Sequence, residues 1–220
     1  MVRLLAMNIL DLYCGAGGAS AGYVQAGHTV TGVDLHPQPD YPYKFIQGDA
    51  LAYVAEHGHE YDAIHASPPC QASTTLAKGT LAYLGKEYPQ LIPATRAALA
   101  QHHGPTFLEN VVGADMRADL TLCGEMFGLR VIRHRRFEIN GATVPVPNHI
   151  PHRGKVLGHN HYAYTSESDG GYYFPVYGHG GGKGSLAMWQ DAMRINWTNN
   201  RRSITEAIPP AYTRYIGSHL

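Results

Sequence analysis

Cys70 stands in the run Ser67-Pro68-Pro69-Cys70-Gln71, where two prolines fix the backbone immediately before a thiol. A lone cysteine is more often a buried hydrophobe than a nucleophile. A sulfur held in one place by a stiffened turn is better suited to attack, with the thiolate as the reactive form. Cys14 and Cys123 lack that setting: Cys14 lies in a glycine-rich turn and Cys123 reads as core. Asp11 to Gly18 (DLYCGAGG) ends an apolar run in glycines that let the backbone approach a ligand. The helix that follows such a turn favours a negative group at its start. Dehydrogenases use similar turns, and a tight turn without a ligand is the structural alternative. Asp34 is placed to accept from ribose hydroxyls and Asp49 from an adenine amino group. Glu109, followed by Asn110, reads either as a helix N-cap or as a protonated carboxyl for a base ring nitrogen. Arg133-His134-Arg135-Arg136 reads either as a solvated hairpin edge or as contacts to phosphates and a base carbonyl.

The elements that must carry these groups alternate between strand and helix. Leu4 to Leu12, His28 to Asp34, Lys44 to Gln47, Tyr61 to Ala66 and Thr106 to Leu108 read as strands. Helices are expected from the glycine turn to Ala26, over Leu51 to His57 and over Ile92 to His102. This alternation predicts an α/β fold with a doubly wound, mostly parallel sheet. The candidate residues then fall at the carboxyl ends of strands, where open α/β sheets bind ligands. Further on, the pattern predicts a short helix over Leu120 to Phe127 and a strand pair, Leu129 to Ile132 with Arg136 to Ile139. Residues 71 to 90 read as a loop and 141 to 184 as irregular. Ser185 to Arg194 reads as helical, and Ser203 to Ile216 as a final helix interrupted by Pro209-Pro210.

The chain has 220 residues, enough for one medium domain. Lys+Arg and Asp+Glu both number 17, so any attraction to nucleic acid must come from local clusters and not from net charge. Three widely spaced cysteines argue against a disulfide framework. No apolar run has membrane length, and Met1 to Asp11 reads as a first strand, not a signal peptide. A cytoplasmic monomer is expected. His149, His152, His159 and His161 lack cysteine partners at any standard finger spacing, so no metal is expected.

Taken together the motifs resemble the cytosine-5 DNA methyltransferases. Asp11 to Gly18 is similar to the family's cofactor turn, with Tyr13 where phenylalanine is commoner. Ser67 to Gln71 is similar to its catalytic loop and Phe107-Leu108-Glu109-Asn110-Val111 to its Glu-Asn-Val motif. His134 to Phe137 is similar to its arginine motif. Ala207-Ile208-Pro209-Pro210, continuing to Tyr215-Ile216-Gly217, is similar to its closing motif. The arginine motif departs from the usual Gln-x-Arg-x-Arg. The closing motif has Thr205-Glu206 where Gly-Asn is usual. About 60 residues, 141 to 200, stand where the family carries a larger recognition domain. In this the chain resembles compact phage or prophage members, found in bacterial or infected host cells.

The resemblance implies a Rossmann-like catalytic domain over 1–140, a short target-recognition segment over 141–200 and a returning C-terminal helix over 201–220. It implies S-adenosylmethionine as methyl donor and a flipped-out cytosine of double-stranded DNA, at a short recognition site, as acceptor. Cys70 would attack, with Glu109 and Arg135 holding the base. Asp11, Leu12, Tyr13, Cys14, Gly15, Gly17, Gly18, Asp34, Leu35, Asp49, Ala50, Pro69 and Ala207 would hold the cofactor. Gln71, Ser73, Arg133, Arg136, Arg153, Lys155 and Lys183 would touch DNA. The competing readings are an RNA (tRNA) cytosine-5 methyltransferase, a catalytically silent DNA-binding relative, and transfer of a different one-carbon group.

Overall fold

A parallel sheet covered on both faces needs strands that are apolar on both sides, and the central strands of this chain meet that demand. The computed structural model describes residues 5–69, 91–152, 154–157, 172–177 and 184–220. Strands β1 (Asn8–Leu12), β2 (Thr29–Asp34), β3 (Lys44–Gln47), β4 (Ala63–Ala66) and β5 (Thr106–Val111) pair in parallel. Strands β6 (Leu120–Leu122) and β7 (Arg135–Asn140) complete a seven-stranded sheet in the order β3-β2-β1-β4-β5-β7-β6, with β7 antiparallel to both its neighbours. The expected doubly wound, mostly parallel α/β fold is present.

Alternation along each strand sends side chains to two layers. Ile9, Ala63, Phe107 and Phe137 pack with Tyr23 of α1 (Gly18–Gln25) and Tyr212 and Ile216 of α6 (Pro210–Gly217). Leu10, Leu12, Ile64, Ala66 and Leu108 pack with Val54 of α2 (Ala50–His57) and with Ile92 and Leu99 of α3 (Leu91–Leu99). A third cluster joins Leu129, Val131, Phe174 and Val176 to Trp189 and Met193 of α4 (Leu186–Met193) and to Ile204 of α5 (Arg201–Glu206). Residues on both sides of positions 140 and 200 therefore share one core. Among the described residues, no helix is long and apolar enough to cross a membrane.

Several local expectations are corrected. Leu120 and Leu122 are buried and Thr121 is half-buried, a period of two, so 120–122 is a strand; helical backbone is confined to a 3-10 turn at Gly124–Phe127. Residues 129–132 form no strand, and β7 pairs with β5 and β6 instead. Strand β5 continues through Val111, so Glu109 and Asn110 lie within it and Glu109 is not a helix cap. The expected final helix is two: α5 ends before Pro209, and Pro210 opens α6 at a position where proline lacks no needed N–H. Within the region expected to be irregular, β8 (Lys155–Val156) pairs with β9 (Tyr172–Tyr173). The loop 71–90 lies outside the described residues.

The C-terminal return is built on close contact with α1. A Cβ on Gly18 would overlap the carbonyl oxygen of Ile208, and the Thr213 hydroxyl donates to the Ala19 carbonyl (2.7 Å). Gly18→Ala is expected to cost roughly 1–3 kcal/mol through overpacking against backbone, read as a lowered midpoint in urea-induced unfolding.

Candidate active site

Strand order reverses between β1 and β4, which lie side by side with their successors on opposite sides. The crevice beyond the carboxyl ends of strands at such a reversal is where open α/β sheets take their ligands. The β1 side carries the glycine turn. Tyr13 and Gly15 both have positive φ, and Gly17 caps α1 at φ 84. The Gly15 N–H donates to Asp34 Oδ2 and the His36 N–H to Asp34 Oδ1, both at 3.0 Å. The Asp34 carboxylate thus faces the turn at the end of β2. Leu35, next along, is exposed, and the Gly48 N–H donates to the Asp34 carbonyl, bringing the start of α2 alongside. Asp49 caps that helix, its Oδ1 accepting from the Ala52 N–H (2.8 Å), and Ala50 is buried behind it. Ala207 lies against Gly18. The structure therefore brings together Asp11 to Gly18, Asp34, Leu35, Asp49, Ala50 and Ala207.

Asp11 is fully buried. The Ser20 hydroxyl donates to its Oδ2, and the Tyr41 hydroxyl joins Ser20 at 2.7 Å. Its Oδ1 is buried with no hydrogen-bond partner among the described residues. Burial lifts its carboxyl to about 7, with Ser20 opposing and the charges of Asp34 and Glu109 adding to the rise. Burial likewise raises the Cys14 thiol, so Cys14 packs against the turn as a neutral group. Tyr13 bonds Thr95 of α3 through its hydroxyl (3.0 Å).

The β4 and β5 side carries the second group. Arg135 Nε lies 2.9 Å from Glu109 Oε1, both side chains largely buried. Burial raises the Glu109 carboxyl, while Arg135, a hydrogen bond from Ser67 and the charge of Arg133 oppose the rise. A relay of buried groups lies beneath: the Tyr23 hydroxyl bonds His65 Nδ1 (3.1 Å), and His65 Nε2 bonds the Ser67 hydroxyl (2.9 Å). Burial drives the His65 pKa down to about 3, so the ring is neutral. Asn110 donates through Nδ2 to the Pro68 carbonyl (2.8 Å) and accepts from the Val111 N–H (2.9 Å). That clamp fixes the chain two residues before Cys70. Pro69 is exposed at the same edge.

Cys70, Gln71, Ser73, Arg153 and Lys183 lie outside the described residues, as do His159 and His161. Lys155 lies in β8, in a small separate sheet. Arg136 neighbours Arg135 on β7, opposite Asn110 and Thr121 in register, so the pleat sends the two side chains to opposite faces. Arg133 corrects the expectation that it touches DNA: it is buried and donates to the Val176 and Thr205 carbonyls, both at 2.6 Å. The likeness of three arginines within four residues hides that division of labour. Two residues with supporting roles were not singled out as site residues. Asn110 had a signal, its place beside Glu109. Trp197 had none, yet its Nε1 donates to the Ala16 carbonyl (2.8 Å) and braces the glycine turn from a distant part of the chain.

No family model matches the chain, and no curated protein matches it. Solved structures do. One is a protein described as a DNA modification methyltransferase encoded within a prophage of E. coli, 13% identical over 97% of this chain and 98% of that one, with a TM-score of 0.64. Another is the S. pombe Dnmt2 methyltransferase, 12% identical over 96% of each chain, with a TM-score of 0.57. A third is the Entamoeba histolytica methyltransferase EhMeth, 8% identical over 96% and 97%, also at 0.57. At such identities the likeness is one of fold: the chain has the Rossmann-like architecture of these methyltransferases over nearly its whole length.

Two outcomes follow from this geometry. Asn110→Ala leaves the Pro68 carbonyl without its donor and is expected to cost about 1–3 kcal/mol in denaturant unfolding. The Asp11 carboxyl is raised on folding, so its contribution to stability is full below about pH 4 and is lost as pH rises towards 7. Asp11→Asn lacks that loss. The stability of the native sequence relative to this variant is therefore expected to decline between pH 4 and 7, measured by unfolding across that range.

Proposed function

We propose that the protein transfers a methyl group from S-adenosylmethionine to carbon 5 of a cytosine flipped out of double-stranded DNA. The observation that supports this reading is the buried Glu109–Arg135 pair beside the Asn110–Pro68 clamp, next to the turn leading to Cys70. The methyltransferase fold of the neighbouring structures supports it.

The residues of the first crevice fit the cofactor. Asp11 has a buried oxygen awaiting a donor, the glycine turn leaves room for backbone approach, Asp34 offers a carboxylate for paired hydroxyls, and exposed Leu35 offers an apolar surface for a ring. Tyr13, Asp49, Ala50, Pro69 and Ala207 complete the surround. When bound, S-adenosylmethionine supplies an electrophilic methyl group to carbon 5.

Carbon 5 of an intact cytosine is a poor nucleophile. The Cys70 thiolate adds to carbon 6, forming a sulfur–carbon bond and turning the ring into an enamine. Glu109 gives or shares a proton at ring nitrogen 3, and its burial favours the protonated form while Arg135 opposes it. Arg135 contacts the ring carbonyl and steadies the charge. Once carbon 5 has taken the methyl group and S-adenosylhomocysteine is left, a base removes the carbon-5 proton, the 5,6 double bond re-forms, the Cys70 sulfur leaves as thiolate and the nitrogen-3 proton returns to Glu109. Stacking in a duplex hides carbon 6, so the base must leave the helix first. Gln71 and Ser73 flank the nucleophile in sequence and, with Arg136, Arg153, Lys155 and Lys183, are candidates for contacts to DNA.

Cys70→Ala is expected to abolish methyl transfer while S-adenosylmethionine still binds. Duplex DNA carrying 5-fluorocytosine cannot lose its carbon-5 substituent, and is expected to trap a covalent complex that mass mapping assigns to Cys70. Full activity in Cys70→Ala, or transfer confined to tRNA, would overturn the reading.

A further inference from the structure

We infer that Cys123, His134, His149 and His152 form a structural zinc site that pins the chain beyond β7 to the sheet. The four donor atoms, one from each residue, lie within 4.8 Å of one another. Cys123 Sγ is 3.4 Å from His152 Nε2, and His149 Nε2 is 3.1 Å from the same nitrogen. Zinc bonds of about 2.3 Å to sulfur and about 2.0–2.1 Å to nitrogen put tetrahedral ligand atoms about 3.3–3.6 Å apart; the Cys123–His152 distance falls in that range, the His149–His152 distance is slightly shorter, and the full set, within 4.8 Å, closes on an ion with small side-chain rotations. The three imidazole rings cluster with centroids 4.9 to 5.3 Å apart.

Hydrogen bonding alone accounts poorly for this cluster. A neutral imidazole nitrogen has either one hydrogen or one lone pair. His152 Nε2 faces a sulfur and a second nitrogen at once and can serve only one of them well. A cation between the donors serves all of them. Four protein ligands close the coordination shell, which is the pattern of a structural site and not of a catalytic one.

The ligands come from three places: the turn after β6, the residue before β7, and the stretch that follows β7 without regular structure. Closing them on one ion holds that stretch against the sheet. It also holds the backbone at His134, between Arg133, which ties to the Val176 and Thr205 carbonyls, and Arg135, which meets Glu109. The cluster was invisible as a finger because Cys123 lies 26 residues before His149 in the sequence. The expectation of no metal rested on local spacing alone. This inference does not depend on methyl transfer.

The test is metal content, measured by mass spectrometry on protein purified without an affinity tag. About one equivalent of zinc per chain is expected, and His149→Ala and Cys123→Ser are each expected to reduce it at least tenfold. His149 is exposed, so its variant reports on ligation without disturbing the core. After chelation, added Co2+ is expected to produce a thiolate-to-cobalt charge-transfer band that Cys123→Ser lacks. A native chain that holds no zinc and takes up none from added Zn2+ would overturn the inference, as would a His149→Ala chain that keeps a full equivalent.

Discussion

A carboxylate without water must find a partner or keep its proton, and Glu109 is placed between these outcomes. It lies inside β5 at the ligand edge of the sheet, with Arg135 reaching it from the antiparallel strand β7. Burial pulls its pKa up while the guanidinium pulls it down. Much of the surrounding architecture serves to hold this arrangement. Strand β7 is anchored from behind by Glu138, which is buried and takes a two-pronged ion pair from Arg96 of α3 together with the Arg117 N–H. Beneath Glu109, the Tyr23–His65–Ser67 relay satisfies every link without placing a second charge in the core.

The two halves of the crevice are joined through the fold, not through direct bonding. Parallel strands β1 and β4 set the glycine turn beside the proline turn. The C-terminal return makes the arrangement rigid: α6 packs on α1 where glycines permit, and Trp197 braces the Ala16 carbonyl. Residues far apart in the chain therefore converge on one short segment, Asp11 to Gly18, whose backbone geometry determines what can bind there.

Much of this was legible in sequence because it is local. Strand–helix alternation, the glycine turn, the two prolines before Cys70 and the acid at the end of β2 each depend on a handful of neighbouring residues. What escaped was set by distant partners. Strand β5 runs three residues further than its composition suggested because β7 pairs along it, which moves Glu109 and Asn110 from a loop into the sheet. Leu120 and Leu122 alternate inward because β7 offers them a partner, against a helical reading of the same residues. Arg133, Arg135 and Arg136 look alike in sequence, yet burial and pleat give them three different surroundings. The histidines at 149 and 152 made no pattern until Cys123 and His134 stood beside them.

The reaction proposed for Cys70 and Glu109 is read most directly from what happens to a cytosine. Duplex DNA incubated with the protein and S-adenosylmethionine carrying a labelled methyl group, then digested to nucleosides, can be read by mass spectrometry. Thiolate attack at carbon 6 is expected to leave label in 5-methylcytosine, and none in adenine or on the exocyclic nitrogen of cytosine. Label on either of those nitrogens, or none in DNA while tRNA is labelled, would contradict the proposed reaction.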